Sequence, residues 1–234
     1  MQMHYYLFVN FKTYEEGTGE KALSLARLMA SFNTGEVDII PVCQAAGLLL
    51  ISQSVPLRVF AQHADPVGFG ANTGMILPES LKSAGAFGTI INHAENKRDN
   101  DFVKKAIGRC HGAGLKVMAC AESLERARQI AKFSPDFLAI EPPELIGGDI
   151  SVSTANPGLI CDSVKEIRKI NPQIIVITGA GIKSAGDVAK AIELGTSGVF
   201  VASGIVCAKD KEYALQTLLS GFPANKQSRS KAEP

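Results

Sequence analysis

Eight short apolar runs, each followed by a stretch of helical periodicity, constrain this chain more than any other feature. The runs are Tyr5–Asn10, Val37–Val42, Leu57–Gln62, Gly88–Asn92, Lys116–Cys120, Phe137–Glu141, Ile174–Thr178 and Gly198–Ala202. Their apolar residues are nearly continuous rather than alternating. A strand with one face in water alternates; a strand buried on both faces, as in a parallel sheet, does not. The segments between them carry single apolar stripes. Leu25, Leu28, Met29 and Phe32 follow helical spacing, as do Phe102, Val103, Ala106, Ile107 and Cys110, and Val188, Ala191 and Ile192. Asn156 before Pro157 reads as an N-cap with proline in the first turn, Ser184 with Asp187 as a variant capping box, and Gly195 as a helix stop.

Eight strands alternating with about eight helices, with no linker-like break in composition, predict a single-domain α/β fold, a (β/α)8 barrel. An open doubly wound sheet is the competitor. The barrel is expected over residues 1–222, and the Lys-, Ser- and Arg-rich tail at 223–234 is expected to be disordered. The long polar stretch His63–Leu77, with Gly68, Gly70 and Gly74, departs from the module and is expected to pack on something and to mediate self-association, as a dimer or tetramer.

The charges nearly cancel at net +1, which argues against nucleic acid or an acidic membrane surface as partner. Neither a signal peptide nor a membrane span is evident. The five cysteines are odd in number and scattered, without a Cys-x-x-Cys, so a reducing cytoplasm is expected rather than a disulfide framework or zinc site. No His-Glu-x-x-His pattern or carboxylate cluster suggests any other metal, and no cofactor is expected.

In a barrel the chemistry sits on the loops at the C-terminal ends of the strands, and the polar candidates fall there. They are Asn10 and Lys12 after the first strand, Gln62 and His63 after the third, Asn92, His93 and Glu95 after the fourth, and Glu141 after the sixth. Glu141 precedes Pro142-Pro143, which pushes its backbone into an extended conformation. The stretch beyond ends in Gly147-Gly148, a pattern that fits a general base beside a closing lid and equally a surface glutamate before a Pro-rich turn. Lys12 at the mouth reads as a fixed cation for an anionic substrate or as a solvated loop lysine. Asn10 is placed to orient that ammonium, or to end the strand in a turn. His93 is placed to donate a proton or hydrogen bond to a substrate oxygen. Gln62 and His63 read as loop-holding or interface residues. Glu95 is placed either to pair with Lys12 across the mouth or to cap a short helix.

Two small-residue loops, Gly179-Ala180-Gly181 after the seventh strand and Ala202-Ser203-Gly204 after the eighth, suggest an anion site, because backbone N–H groups approach a phosphate only where side chains are absent. The first is not a dinucleotide fingerprint. Its third glycine position is Ser184, and it comes late in the chain.

Taken together, Val9-Asn10-Phe11-Lys12-Thr13-Tyr14, Phe60-Ala61-Gln62-His63, Asn92-His93-Ala94-Glu95, Glu141-Pro142-Pro143-Glu144-Leu145-Ile146-Gly147, Gly179-Ala180-Gly181-Ile182, Glu193-Leu194-Gly195 and Ala202-Ser203-Gly204 resemble the triosephosphate isomerase family, in its shorter, archaeal-type branch. The resemblance covers nearly the whole chain except the tail and implies a TIM barrel. It also implies an aldose–ketose isomerase that interconverts glyceraldehyde 3-phosphate and dihydroxyacetone phosphate without cofactor or metal. On that resemblance Glu141 matches the base, His93 the electrophile, Lys12 the substrate-holding cation and Asn10 its support. Ile146, Gly147, Gly179, Gly181, Ala202 and Ser203 match the phosphate-holding positions, and Pro142 to about Ser153 the lid. Two departures bear on the resting contacts of the base and on phosphate affinity. Ala94 stands where the family usually has a serine, and Gly148-Asp149 where it usually has Thr-Gly. Other phosphosugar barrels use the last two loops for phosphate but do not pair Asn-x-Lys on the first strand with this His and Glu. A phosphosugar-binding relative without turnover is the remaining alternative.

Overall fold

The computed structural model describes residues 4–33, 35–142 and 155–223. Strands β1 (Tyr5–Asn10), β2 (Val37–Cys43), β3 (Phe60–Ala61), β4 (Gly88–Ile91), β5 (Lys116–Ala121), β6 (Phe137–Ile140), β7 (Ile175–Thr178) and β8 (Gly198–Val201) pair in sequence order and close on themselves. All eight pairings are parallel, and Tyr6 to Val9 of β1 lie opposite Gly198 to Val201 of β8. The open doubly wound sheet is thereby excluded.

The continuous apolar runs now have their cause. One set of strand side chains, among them Phe8, Ile40, Phe60, Ile90, Met118, Phe137, Ile177 and Phe200, fills the barrel interior. The other set, including Leu7, Val9, Ile39, Ile91, Val117, Leu138 and Val199, packs against the helices. Phe8 is the hub of the interior, meeting Phe60 and Phe137 edge-on with ring centroids 5.2 Å apart. Its full burial contributes about 2–3 kcal/mol. Gly88 is glycine because of this filling: a Cβ there would lie 2.5 Å from Cζ of Phe60.

Among the described residues the helices are α1 (Gly19–Ser31), α2 (Ala45–Ser54), α3 (Pro78–Ser83), α4 (Asn100–Gly112), α5 (Leu124–Ala131), α6 (Pro157–Ile170), α7 (Ala185–Glu193), α8 (Ser203–Val206) and α9 (Lys211–Leu219). Their ends follow the expected chemistry. Asn156 Oδ1 accepts from Leu159 N at the start of α6. Ser184 and Asp187 close a capping box on α7, and Gly195 follows that helix at φ +98°. The third strand is shorter than its apolar run. Arg58 is exposed, and regular pairing begins only at Phe60, although Val59 O already accepts from Phe87 N.

The two ends of the barrel differ. At the N-terminal end, the carboxylate of Asp136 accepts from Lys116 Nζ (2.7 Å), His111 Nε2 (2.9 Å) and Val117 N (2.9 Å), tying β5, α4 and the start of β6 together. Burial would raise its pKa, but these hydrogen bonds outweigh burial and hold it below the ordinary aspartate range. A depressed folded-state pKa contributes stability that is present above the unfolded value and lost as pH falls through the folded one. The long loop is held by its own backbone, by the Asp65 carboxylate and by Arg109 of α4. Asp65 N donates to Ile76 O, Ile76 N to Asp65 Oδ2, and Arg109 Nε to Val67 O. Phe69 and Met75 remain 82% and 54% exposed.

Candidate active site

Asn10 ends β1, and two residues later Lys12 takes a left-handed backbone, φ 46°, a costly conformation for a lysine. Three hydrogen bonds hold it there. Lys12 N donates to Asn10 Oδ1 (3.0 Å), and the Gln62 carboxamide donates to Lys12 O (2.9 Å) and Asn10 Oδ1 (3.2 Å). Asn10 therefore fixes the backbone of the lysine rather than its ammonium, which corrects one of the two sequence-based readings. The ammonium is aimed by Glu95, whose Oε1 lies 2.6 Å from Lys12 Nζ. Of its two expected roles Glu95 takes the pairing with Lys12; it lies inside a 3-10 turn, Ala94–Asn96, whose cap is the side chain of His93. His63 is a loop-holding residue, 3.2 Å from Asp65 Oδ1 and stacked on Phe102.

His93 is 7% exposed. Its Nδ1 accepts a hydrogen bond from Glu95 N at 3.2 Å. A ring nitrogen that accepts carries no proton, so the imidazole proton sits on Nε2. That nitrogen faces Glu141, with Oε1 at 3.8 Å.

Glu141 follows β6 and is only 2% exposed; its N–H donates to Ala121 O. Oε2 has no hydrogen-bond partner among the described residues. At position 94 the chain has alanine, so no serine hydroxyl is available to it there. Burial pushes the carboxyl above the ordinary glutamate range; His93, the Cys120 thiol and Lys12 pull against this, and Glu95 adds to it. The same confinement raises the Cys120 thiol, chiefly by burial and then by the Glu141 charge. A buried carboxylate with a free lone pair suits proton abstraction at carbon, because no resting hydrogen bond to that oxygen has to be broken first.

Asn10, Lys12, His93 and Glu141 line one cleft with Tyr14, Gly179, Gly181, Ile182, Phe200, Ala202, Ser203 and Gly204. Gly181 has φ +70°. The β7 and β8 loops touch, since a Cβ on Gly204 would lie 3.6 Å from Ile182 O. The first N–H groups of α8 lack intrahelical acceptors, as at any helix start. Gly179 has a second reason to be glycine. A Cβ there would lie 2.3 Å from Glu141 Cγ and 2.9 Å from Oε1. Ile146 and Gly147, the rest of the lid stretch beyond Pro142, and the departures Gly148 and Asp149 lie outside the described residues.

Gln62, read from its place at the end of the third strand as a loop-holding or interface residue, holds the loop of Lys12. Tyr14 and Phe200 were missed.

A closed barrel with a buried carboxylate, an imidazole and an ammonium in one C-terminal cleft defines a (β/α)8-barrel enzyme. The family model described as triosephosphate isomerase matches residues 5–219. The triosephosphate isomerase of Methanobacterium bryantii is 44% identical over 216 residues, covering 92% of this chain and 95% of the relative. That of Methanothermus fervidus is 41% identical over 215 residues (92% and 97%), and that of Methanocaldococcus jannaschii 37% over 214 (91% and 98%). The chain belongs to the triosephosphate isomerase family and is an isomerase.

Proposed function

We propose that the chain interconverts D-glyceraldehyde 3-phosphate and dihydroxyacetone phosphate, with Glu141, His93 and Lys12 as its reacting groups. The observation that carries this is the approach of His93 Nε2 to Glu141 Oε1, 3.8 Å, in the cleft that also holds Lys12. Glu141 takes the proton from the carbon beside the carbonyl. The electron pair moves into the carbonyl and leaves an enediolate, whose oxygen is met by the Nε2–H of His93 and the ammonium of Lys12. His93 carries protons between the two oxygens, and Glu141 returns its proton to the neighbouring carbon. Asn10 supports Lys12 as described above. Gly181, Ala202 and Ser203 offer backbone amides to the phosphate, with Ile146 and Gly147 as further candidates. Holding the phosphate away from the reacting carbons lets its binding energy orient the substrate and exclude water.

Lys12→Met retains the length of the side chain and removes its charge. It is expected to lower kcat/KM about 10²–10³-fold with an unchanged circular dichroism spectrum; turnover at the wild-type level would contradict the role of the ammonium.

The setting that fits is the cytoplasm, in glycolysis or gluconeogenesis, where the free cysteines stay reduced. No described helix is long and apolar enough to cross a membrane. Self-association, as dimer or tetramer, is assigned to the 63–77 loop, whose Phe69 and Met75 are exposed. Sedimentation velocity at assay concentration is expected to show a species larger than the monomer, which Phe69→Asp dissociates. A monomer alone in the unaltered protein would reject this assignment.

A further inference from the structure

Asn92 follows β4, is 3% exposed and takes φ 63°, a left-handed conformation that asparagine tolerates better than most residues. This turn sends the chain from the strand into the 3-10 turn that carries His93 and Glu95. The side chain then acts at two further points. Nδ2 donates to Cys120 O on β5 at 2.8 Å, and Oδ1 accepts from Arg98 N at 2.8 Å. Arg126 of α5 backs the second contact, donating to Asn92 Oδ1 (3.4 Å), to Arg98 O (2.6 Å) and to Asn100 Oδ1. Residues 93–97 are thus pinned at both ends by one carboxamide.

The neighbouring carbonyl of β5 has a matching task. Ala121 O accepts from Glu141 N at 2.8 Å. Consecutive carbonyls of β5 therefore hold the segment bearing the imidazole on one side and the segment bearing the carboxylate on the other. We propose that Asn92 is a positioning residue: by bridging Cys120 O and Arg98 N, it sets the imidazole of His93 against the carboxylate of Glu141. The inference rests on the reading of His93 and Glu141 as the reacting pair. It extends that reading to a group that touches neither substrate nor reacting atom.

Asn92→Gly tests it, because glycine adopts φ near 60° without penalty and only the carboxamide is lost. A displacement on the order of 1 Å at a reacting group costs about 100-fold in rate. The expected result is a fall in kcat of about 10- to 100-fold with KM little changed and unaltered affinity for inorganic phosphate, which would occupy the proposed anion site of the β7 and β8 loops without reaching His93 or Glu141. The ¹⁵N spectrum of the His93 ring should also change, from a single form protonated on Nε2 to a mixture of tautomers. Asn92→Asp retains the acceptor for Arg98 N and loses the donor to Cys120 O, so it gives the same readouts if Asn92→Gly fails to fold. It is expected to lower kcat in the same way. Wild-type kcat with an unchanged ring spectrum in either folded variant would overturn the proposal. So would a parallel loss of kcat and inorganic-phosphate affinity, which marks general loosening. His93→Gln serves as the control: if it turns over like the unaltered protein, the reacting-pair reading fails, independently of Asn92.

Discussion

Glu141→Gln is expected to cut kcat by about 10²–10⁴-fold and at the same time to raise thermal stability at neutral pH. The two effects have one origin. The carboxylate is buried, and its Oε2 finds no partner among the described residues. It keeps a lone pair free for the proton on carbon, at the cost of burying charge without full compensation. Glutamine has the same shape without the charge, so the base disappears and the burial cost falls by about 1–2 kcal/mol. The sign with pH follows from the direction of the shift. The folded carboxyl titrates above its unfolded value, chiefly through burial. Its contribution to stability is fully present below the unfolded pKa and is lost as pH rises through the folded one. The stability advantage of Glu141→Gln should therefore be largest at neutral pH and vanish in acid, as melting curves at several pH values would show. In the unaltered enzyme the acid limb of kcat/KM should lie above the ordinary glutamate range, because only the ionised carboxyl acts as base. A Glu141→Gln variant that melts lower at neutral pH than in acid, relative to wild type, would contradict the assigned burial cost.

Gly179→Ala is the second large effect. The added methyl would meet Glu141 Cγ at 2.3 Å and Cδ at 2.8 Å, closer than any real Cβ contact. The loop backbone is held by Gly179 N donating to Ile140 O, so the side chain of Glu141 has to move. The expected outcome is a loss of about 100-fold in kcat with affinity for inorganic phosphate largely retained, since the amides of Gly181, Ala202 and Ser203 stay in place. If the main task of Gly179 were a phosphate contact, KM and anion affinity would suffer first. Steady-state kinetics together with calorimetric titration of the anion separate the two cases.

How much of this was readable in the chain follows from what each residue contacts. The barrel was legible because its strands are apolar on both faces, a property of each run by itself. Phe137–Ile140 and Gly198–Val201 could be found without knowing their neighbours. The third strand was overextended because Leu57 and Arg58 continue the run while pairing has not yet begun. Lys12, His93 and Glu141 were legible as reactive side chains at strand ends. Asn10 was legible beside them as the support of Lys12. What the other amides bond was not: Gln62 reads as a loop-holding residue and Asn92 as a polar residue at a strand end, and their work lies in contacts with distant segments, Gln62 with Lys12 O and Asn92 with Cys120 O. Gly179 shows the same limit from the other side. A glycine-rich loop suggests room for a phosphate, but nothing local reveals that the space beside Gly179 is filled by Glu141.

The most direct test is a crystal structure with 2-phosphoglycolate, whose carboxylate mimics the enediolate. The account predicts that carboxylate within hydrogen-bond reach of Lys12 Nζ, His93 Nε2 and Glu141, with the phosphate against the amides of Gly181 and Ser203. A ligand bound elsewhere, or bound here with Glu141 turned away from it, would contradict the account.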